Sequence, residues 1–165
     1  MTTSLKALAL LAFLAAGGCA TPPPARDTEA DKAKLQADAT SWFDFYTKAD
    51  GDGMANLYAE DALLMPPGAP SVTGRAGIRT FLGEDAAKTK AAGLSIKNGM
   101  VTGVDVSGDT GWISGTYTVV DATGGTVDSG SYLSVHHLSN GVWVYVRDIW
   151  NSDRAPVPAP APPTQ

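Results

Sequence analysis

The sequence is poor in cysteine and histidine, and both shortages narrow the chemistry open to it. Cys19 is the only cysteine of the 165 residues, so no disulfide framework can form within the chain. The two histidines, His136 and His137, are neighbours. Neighbouring side chains on a strand point to opposite faces and cannot bind one metal ion together. We therefore expect no metal site and no cofactor, and a fold stabilised by its hydrophobic core.

Positive charge is also scarce. The chain carries 12 Lys and Arg against 17 Asp and Glu, a formal net charge of −5. It contains no run of basic residues, whereas proteins that bind nucleic acid cluster Lys and Arg on one face. The composition therefore predicts a protein that does not bind nucleic acid.

The amino-terminal apolar stretch is too short to span a membrane. Leu5–Ala16 falls short of the roughly 20 apolar residues that a spanning helix needs. A short basic start, an apolar middle and the small residues Ala16-Gly17-Gly18 are typical of a secretory signal. Cys19 follows these small residues directly.

Small residues placed before a cysteine resemble the processing site of bacterial lipoproteins, although Ala16 stands where that family usually has a larger aliphatic residue. The resemblance implies that residues 1–18 are a signal peptide and that Cys19 is lipidated and becomes the new amino terminus. Ala20, rather than aspartate, follows the cysteine, which implies a lipid-anchored protein of the bacterial cell envelope, at the outer membrane and facing the periplasm. The alternative is an ordinary cleaved signal with an incidental cysteine.

Proline-rich segments flank the rest of the chain. Residues 19–28 begin with Cys19 and form a polar spacer. Residues 155–165 (APVPAPAPPTQ) lack the apolar side chains needed to pack, so we expect a disordered Pro/Ala tail. The alternative for the tail is a proline-rich ligand for a partner. The globular domain therefore spans residues 29–154.

Hydrophobic spacing predicts helices in the first half of the domain and strands in the second. The predicted helices span about residues 29–49, 54–59 and 74–92, with a strand at 62–65 and the turn Pro66-Pro67-Gly68 before the third. Four further strands, separated by glycine-containing turns that favour antiparallel hairpins, are predicted at residues 94–106, 110–120, 126–138 and 142–150. Helices followed by a strand meander make an α+β domain.

Four phrases resemble the nuclear transport factor 2-like superfamily: the helix end at 42–50, LYAEDALLMPPG, VTGRAGIRTFL and VWVYVRDIWNSD. More narrowly, they are similar to its SnoaL-like branch and to a related domain family of unknown function. The resemblance implies three amino-terminal helices packed on a curved antiparallel sheet, forming a cone with a pocket inside. Relatives include isomerases, cyclases, dehydratases, binding modules and scaffolds, so fold alone does not fix function.

The steroid isomerases of this superfamily use a tyrosine on the first helix as an oxyanion donor and an aspartate as base. Aligned through Leu57–Ala62, the tyrosine position falls at Trp42 and the base position at Pro66. Proline cannot accept a proton, and an indole donates a hydrogen bond but is a poor acid. Steroid-isomerase chemistry through these two positions is therefore excluded.

Asp148, on the last predicted strand, is the candidate catalytic residue. A carboxylate in an aromatic-lined pocket has a raised pKa and can act as a base; the alternative is a structural residue that accepts hydrogen bonds. One of the histidines is a second candidate base, and a solvent-facing or interface histidine is its alternative.

Strict alternation along the last strand predicts two largely apolar faces. One face carries Val144, Val146, Asp148 and Trp150, and the other carries Trp143, Tyr145, Arg147 and Ile149. A sheet with water on one side shows a cleaner apolar and polar alternation. We therefore expect a homodimer in which a second copy covers the sheet.

Large apolar side chains are expected to line the pocket of the cone. The candidates are Trp42, Tyr46, Tyr58, Met65, Phe81, Tyr117, Tyr132 and Trp150. Such a lining suits a small hydrophobic or aromatic molecule, so a binding protein without chemistry is our first interpretation. The alternatives are an isomerase, cyclase or dehydratase that uses Asp148 or a histidine, and a dimeric scaffold for another envelope protein.

Overall fold

The computed structural model describes residues 26–154, so the predicted signal peptide, Cys19 and the Pro/Ala tail lie outside the described residues. The described helices are α1 (Thr28–Lys48), α2 (Gly51–Ala55) and α3 (Arg75–Ala91). The described strands are β1 (Tyr58–Met65), β2 (Val72–Thr73), β3 (Ser95–Ser107), β4 (Thr110–Val120), β5 (Thr126–Ser139) and β6 (Val142–Ser152). Within residues 26–154, none of the helices combines the length and the apolar character that crossing a bilayer requires.

The strands form one curved sheet in the order β2-β1-β6-β5-β4-β3. The meander β3 to β6 is antiparallel, which confirms the predicted α+β domain with helices at its amino-terminal side. One pair departs from the expected antiparallel arrangement, because β1 runs parallel to β6. A parallel pair needs a long crossover, and α3 with β3 to β5 supplies it.

Aspartates fix the beginnings of the first two helices. The Asp27 side chain accepts hydrogen bonds from the backbone N–H groups of Glu29 and Ala30, and the Asp50 side chain accepts one from Gly53. Because Asp50 caps it, α2 begins at Gly51 rather than at the predicted residue 54. Strand β1 begins at Tyr58 rather than at the predicted residue 62. Tyr58 therefore lies on the sheet, not on a helix.

The core has two parts at opposite ends of the cone. The larger one joins α1, α2 and α3 to β1 and β6 and contains Tyr46, Met54, Tyr58, Leu64, Ile78 and Leu82. The smaller one joins the start of α1 to the ends of the hairpins and contains Leu35, Val106 and Trp143. A cavity remains beside the larger part, between α1 and the sheet, and Tyr46 and Tyr145 of that part also line it.

A bulge in β6 changes which of its residues face the helices. Val135 pairs with Arg147 and His136 pairs with Tyr145, so Val146 has no partner on β5. The extra residue brings Tyr145 onto the same buried side as Asp148. The prediction that placed these two side chains on opposite faces is wrong, since it assumed strict alternation.

Candidate functional site

The cavity between α1 and the sheet opens to solvent and is lined mainly by aromatic side chains. Helix α1 contributes Ala39, Trp42, Phe43 and Tyr46, and α3 contributes Asp85. Strands β3 to β5 contribute Ile96, Tyr117, Tyr132 and Ser134, and β6 contributes Tyr145, Asp148 and Trp150. The space open to the centre of a water molecule is about 60 Å³, well above the roughly 10–15 Å³ that one water needs.

Two glycines on the sheet make room for two of these tyrosines. Gly115 pairs with Tyr132 across β4 and β5, and Gly130 pairs with Tyr117. A Cβ atom on Gly115 would lie 2.5 Å from the Tyr132 hydroxyl oxygen, and one on Gly130 would lie 2.7 Å from the Tyr117 ring. Each ring therefore lies against the glycine opposite it, and the centre of the cone stays open.

Asp148 is the buried carboxylate of this cavity, with 6% of its surface exposed. The Tyr58 hydroxyl donates a 2.5 Å hydrogen bond to its Oδ2 atom, and the Trp42 indole N–H donates to the Tyr58 oxygen at 2.9 Å. Burial raises the pKa of Asp148 to about 6, against the hydrogen bonds from Tyr58 and the Ile149 backbone, which lower it. Asp148 can therefore exchange a proton near neutral pH.

Hydroxyl groups surround the carboxylate. The Tyr132 hydroxyl is buried and has no hydrogen-bond partner among the described residues. Burial raises the pKa of Tyr132, and the negative charge of Asp148 raises it further. Burial and then the Asp148 charge likewise raise the pKa of Tyr145. Both phenols are neutral hydrogen-bond donors at physiological pH, and a buried donor without a partner is costly.

His136 lies one layer behind the cavity wall. It is fully buried, and its Nε2 atom is 3.2 Å from the Ser134 hydroxyl that lines the cavity. Burial, and secondarily the charge of Lys34, lower the pKa of His136 to about 4. The ring is therefore neutral at physiological pH and contacts two residues of the cavity wall, Ser134 and Tyr145, whose ring centre lies 4.0 Å from that of His136, while His137 is exposed.

The structure brings together most of the candidates named from sequence. Asp148 and five aromatic candidates line the cavity: Trp42, Tyr46, Tyr117, Tyr132 and Trp150. Tyr58, Met65 and Phe81 lie outside its lining. Tyr58 is fully buried behind Asp148, and Phe81 packs against the larger core. Their role in binding stays a prediction, and for Tyr58 the contacts support positioning of the carboxylate.

The two positions aligned with the steroid isomerases take other roles here. Trp42 donates its indole N–H to Tyr58, and Pro66 is buried without lining the cavity. The buried carboxylate that lines the cavity is instead Asp148 on β6. Among residues 26–154, no three Asp, Glu, His or Cys side chains are grouped closely enough to hold a metal ion.

Sequence reasoning did not name several lining residues, among them Tyr145, Ser134 and Asp85. Tyr145 was assigned to the wrong face because of the bulge at Val146. Ser134 pairs with Asp148 across β5 and β6, which the hairpin register would have indicated. Asp85 accepts a 2.5 Å hydrogen bond from the Tyr46 hydroxyl, a contact between two helices for which sequence spacing gives no signal.

Comparisons with known proteins agree on the family and the fold. The family model described as the SnoaL-like domain matches residues 39–146. No curated protein is similar enough in sequence to count as a relative. Solved structures that resemble this one include a nuclear transport factor 2-like protein with a cystatin-like fold from Novosphingobium aromaticivorans, at 22% identity and a TM-score of 0.66, covering 73% of this chain and 80% of that one.

Two further solved structures resemble the fold at similar distance. A domain of unknown function with a cystatin-like fold from Nostoc punctiforme has 19% identity and a TM-score of 0.69, covering 78% of this chain and 81% of that one. A ketosteroid isomerase-like protein from Erwinia carotovora has 21% identity and a TM-score of 0.57, covering 76% of this chain and 98% of that one. At these identities the similarity concerns the fold and not the activity.

Proposed function

The chain belongs to the SnoaL-like domain family within the nuclear transport factor 2-like superfamily, and from this premise we propose that its cavity binds a small, mostly apolar molecule with one polar group. The observation that carries the proposal is the unpaired Tyr132 hydroxyl beside Asp148 in an otherwise aromatic cavity. Ligand sites combine apolar walls with a few polar groups that fix orientation. A hydroxyl or carbonyl on the ligand would satisfy Tyr132.

The size of the cavity limits how much of a ligand is enclosed. Its volume of about 60 Å³ is smaller than the roughly 150 Å³ of a cavity that encloses benzene. An aromatic ligand therefore places its polar end beside Asp148 and Tyr132 and leaves the rest of its surface against the rim. Such partial enclosure suits weak or moderate affinity.

A titration with phenol and toluene tests this proposal, with binding followed by NMR. Phenol carries a hydroxyl that Tyr132 and Asp148 can pair with, and toluene has the same ring without it, so we expect phenol to bind more tightly. Tyr132→Phe should weaken phenol binding about fivefold, the effect of one hydrogen bond worth about 1 kcal/mol, and leave toluene unaffected. Equal binding of both probes to both proteins would contradict the proposal.

Two alanines of α1, each replaced by leucine, provide a test variant and its matched control. Ala39 is buried against the cavity and Ala33 is on the exposed side of the same helix. Ala39→Leu fills part of the cavity and should abolish phenol binding, whereas Ala33→Leu should bind like the unchanged chain. Cooperative urea unfolding of both variants establishes that each still folds.

A second function, proton transfer by Asp148, is favoured by the pKa of about 6. A general base works best when its pKa lies near the working pH. The neutral hydroxyls of Tyr132 and Tyr145 could then stabilise negative charge on an oxygen of the substrate. In D2O, exchange of the C–H protons beside the carbonyl of a small cyclic ketone would report this activity. Loss of exchange in Asp148→Asn, with exchange retained in Tyr46→Phe, is expected; equal exchange in both would contradict it.

The place of the protein in the cell is a further part of the proposal. We propose that lipid on Cys19 holds the domain at the outer membrane, facing the periplasm. The support is the signal-like segment that precedes Cys19. Cys19→Ser should move the protein from the membrane to the soluble fraction, and Ala20→Ser, beside it, should not. Membrane retention of Cys19→Ser would count against the anchor.

The outer face of the sheet supports the proposal of a homodimer. Trp112, Leu133 and Ile149 lie there with 40 to 43% of their surface exposed. They are neighbours across β4, β5 and β6, because Leu133 pairs with both Ser114 and Ile149, and Trp112 pairs with Val135. A second copy of the same face would cover these apolar side chains and bury them from water.

A further inference from the structure

Two carboxylates are buried among the residues that the structure describes, and only one of them has a positively charged partner. Asp38 on α1 is 5% exposed and forms an ion pair with Lys34. Asp148 is 6% exposed and forms no ion pair in the described part of the chain. Its hydrogen-bond donors, the Tyr58 hydroxyl and the Ile149 backbone N–H, are neutral. A buried carboxylate without a counter-ion is costly, and because Asp148 lines the cavity, a bound ligand can supply the missing cation.

The lining of the cavity carries negative charge and no positive charge. Asp85 on α3 contributes a second carboxylate, which accepts the hydrogen bond of the Tyr46 hydroxyl. None of the lining residues within 26–154 is Lys, Arg or His. His136 behind the wall is neutral at physiological pH, because burial lowers its pKa to about 4. At pH 7, above its pKa of about 6, Asp148 is ionised in most molecules, so the cavity attracts a cation and repels an anion.

The walls suit a cation that also has an apolar body. Seven of the twelve side chains that line the cavity are aromatic, and the face of an aromatic ring attracts a positive charge within about 6 Å of its centre. Tryptophan attracts cations most strongly, and Trp42 and Trp150 both line the cavity. Tyr117 and Tyr132 each lie against a glycine of the sheet, which leaves the other side of each ring to the cavity. A neutral ligand gains from these walls too, but only a cation also gains from the carboxylates.

We propose that the small molecule bound in this cavity is an organic cation, a protonated amine with an apolar body, and this rests on the small-molecule binding proposed above. Its ammonium group donates one hydrogen bond to Asp148 and another to the oxygen of Tyr132, whose hydroxyl has no partner among the described residues. Its apolar body lies against the aromatic side chains. The cavity of about 60 Å³ encloses the charged end, away from the water that would weaken its attraction to the carboxylates.

Benzylamine and benzyl alcohol test the charge of the ligand directly. The two molecules have the same ring and nearly the same size, but at pH 7 benzylamine is a cation and benzyl alcohol is neutral. Each is titrated into the unchanged chain, and binding is followed by NMR of the tryptophan indole N–H signals. Trp42 and Trp150 line the cavity, whereas Trp112 lies on the outer face of the sheet and Trp143 lies in the smaller part of the core. Only the first two signals therefore report binding in the cavity.

We expect benzylamine to shift the signals of Trp42 and Trp150 and to bind about tenfold more tightly than benzyl alcohol, the effect of one hydrogen bond to a charged group. Asp148→Asn should remove this preference, because asparagine keeps an oxygen that can accept the Tyr58 hydrogen bond but has no charge. Asp85→Asn should reduce the preference by a smaller factor, since water screens a half-buried carboxylate more strongly.

Asp44→Asn is the matched control, since Asp44 lies on the exposed side of α1 and its replacement changes the net charge by the same amount. It should leave the preference for benzylamine unchanged. An equal loss of preference in Asp44→Asn and Asp148→Asn would overturn the proposal, because the attraction would then belong to the whole chain and not to the cavity. Cooperative urea unfolding establishes that each variant folds.

The two ligands also separate this proposal from the one on which it rests, and their comparison on the unchanged chain needs no variant. If benzyl alcohol binds in the cavity as tightly as benzylamine, the proposed cation is wrong and the proposed small-molecule binding stands. If neither ligand shifts the signals of Trp42 and Trp150, both proposals are wrong.

Discussion

Asp148 and Tyr58 share the buried hydrogen bond beside the cavity. Removing a carboxylate from water favours its protonated form, while the Tyr58 hydroxyl stabilises the charged form. The pKa of about 6 shows that burial outweighs the hydrogen bonds. The Trp42 indole N–H donates a hydrogen bond to the Tyr58 oxygen. An indole, a phenol and a carboxylate are therefore linked by two successive hydrogen bonds.

The raised pKa of Asp148 makes the stability of the fold depend on pH. The pKa is about 6 in the folded chain and 3.8 is the ordinary value, so the folded state binds more protons between these two values. This group therefore lowers the free energy of unfolding as pH rises from about 4 to about 6, by about 3 kcal/mol in total. Asp148→Asn should remove this loss, so that the variant gains stability relative to the unchanged chain at pH 7.

Urea unfolding at pH 4 and pH 7 measures this effect as the difference between the two proteins. The comparison with the unchanged chain is necessary because Asp31, Asp52, Asp105 and Asp121 have lowered pKa values and act in the opposite direction. A difference that is the same at both pH values would show that Asp148 titrates normally.

Tyr58→Phe should raise the pKa of Asp148 above 6, because it removes the hydrogen bond that stabilises the charged carboxylate. It also leaves the Trp42 indole without its acceptor, so the free energy of unfolding at pH 7 should fall by about 1–3 kcal/mol. A carbon-13 NMR titration of the aspartate carboxyl groups reports the pKa. Tyr46→Phe is the control, since the Tyr46 hydroxyl donates to Asp85 and not to Asp148. An equal shift of the Asp148 pKa in both variants would show that the Tyr58 hydrogen bond does not lower this pKa.

Individual residues of the site could be predicted from the sequence where residue type and burial alone determine their role. Asp148 was named because a carboxylate in an aromatic-lined pocket has a raised pKa and can act as a base, and Pro66 because proline cannot be a base. Tyr145 and Ser134 were not named, since their place beside Asp148 depends on a bulge and on strand register. Because no glycine marks the bulge at Val146, the sequence gives no local sign of the bulge or of the strand register.

At the scale of elements, β4 and β5 build the wall of the cavity through reciprocal glycine and tyrosine pairs. Gly115 lies under Tyr132, and Gly130 lies under Tyr117. The strand ends themselves were predicted to within two residues on β3 to β6 because glycine turns separate them. The start of β1 was missed, since Leu57-Tyr58-Ala59 has an apolar pattern that also suits a helix.

Gly115→Ala should destabilise the fold by about 1–3 kcal/mol, the usual cost of an extra methyl group in a packed site. Its Cβ would lie 2.5 Å from the Tyr132 hydroxyl oxygen and force that ring into the cavity. Gly83→Ala on α3 is the matched control. Its Cβ would meet the nearest atom at an ordinary 3.6 Å, and alanine is preferred to glycine in a helix by about 1 kcal/mol.

Thermal unfolding of both glycine variants tests this account of the wall. The melting temperature should fall for Gly115→Ala and rise or stay level for Gly83→Ala. Phenol binding should also weaken in Gly115→Ala. If Gly115→Ala were as stable as the unchanged chain, the Tyr132 ring would not rest on this glycine.

At the scale of the whole molecule, the sheet has two apolar faces, of which one is covered by the helices and the other is exposed. The inner face packs on the helices and holds the cavity, while the outer face leaves Trp112, Leu133 and Ile149 exposed. The α+β fold and the family followed from sequence because the order of elements and the four phrases are distributed over nearly the whole domain. The ligand did not follow, since this fold hosts many functions.

Leu133→Glu should convert the proposed dimer to a monomer, because it places a charge in the centre of the apolar outer face. Light scattering at micromolar concentration should give a dimer mass for the unchanged chain and a monomer mass for the variant. Thr80→Glu, on an exposed position of α3, adds the same charge elsewhere and should remain dimeric. A monomer mass for the unchanged chain would contradict the proposed assembly.

Native mass spectrometry of the protein purified from its own cell envelope tests the central claim most directly. The unchanged chain should carry a small molecule of fixed mass, and the Ala39→Leu variant, whose cavity is partly filled, should lack it. The Ala33→Leu variant should carry the same mass as the unchanged chain. Bare protein in every case, or the same added mass on Ala39→Leu, would contradict the claim that this cavity is a binding site.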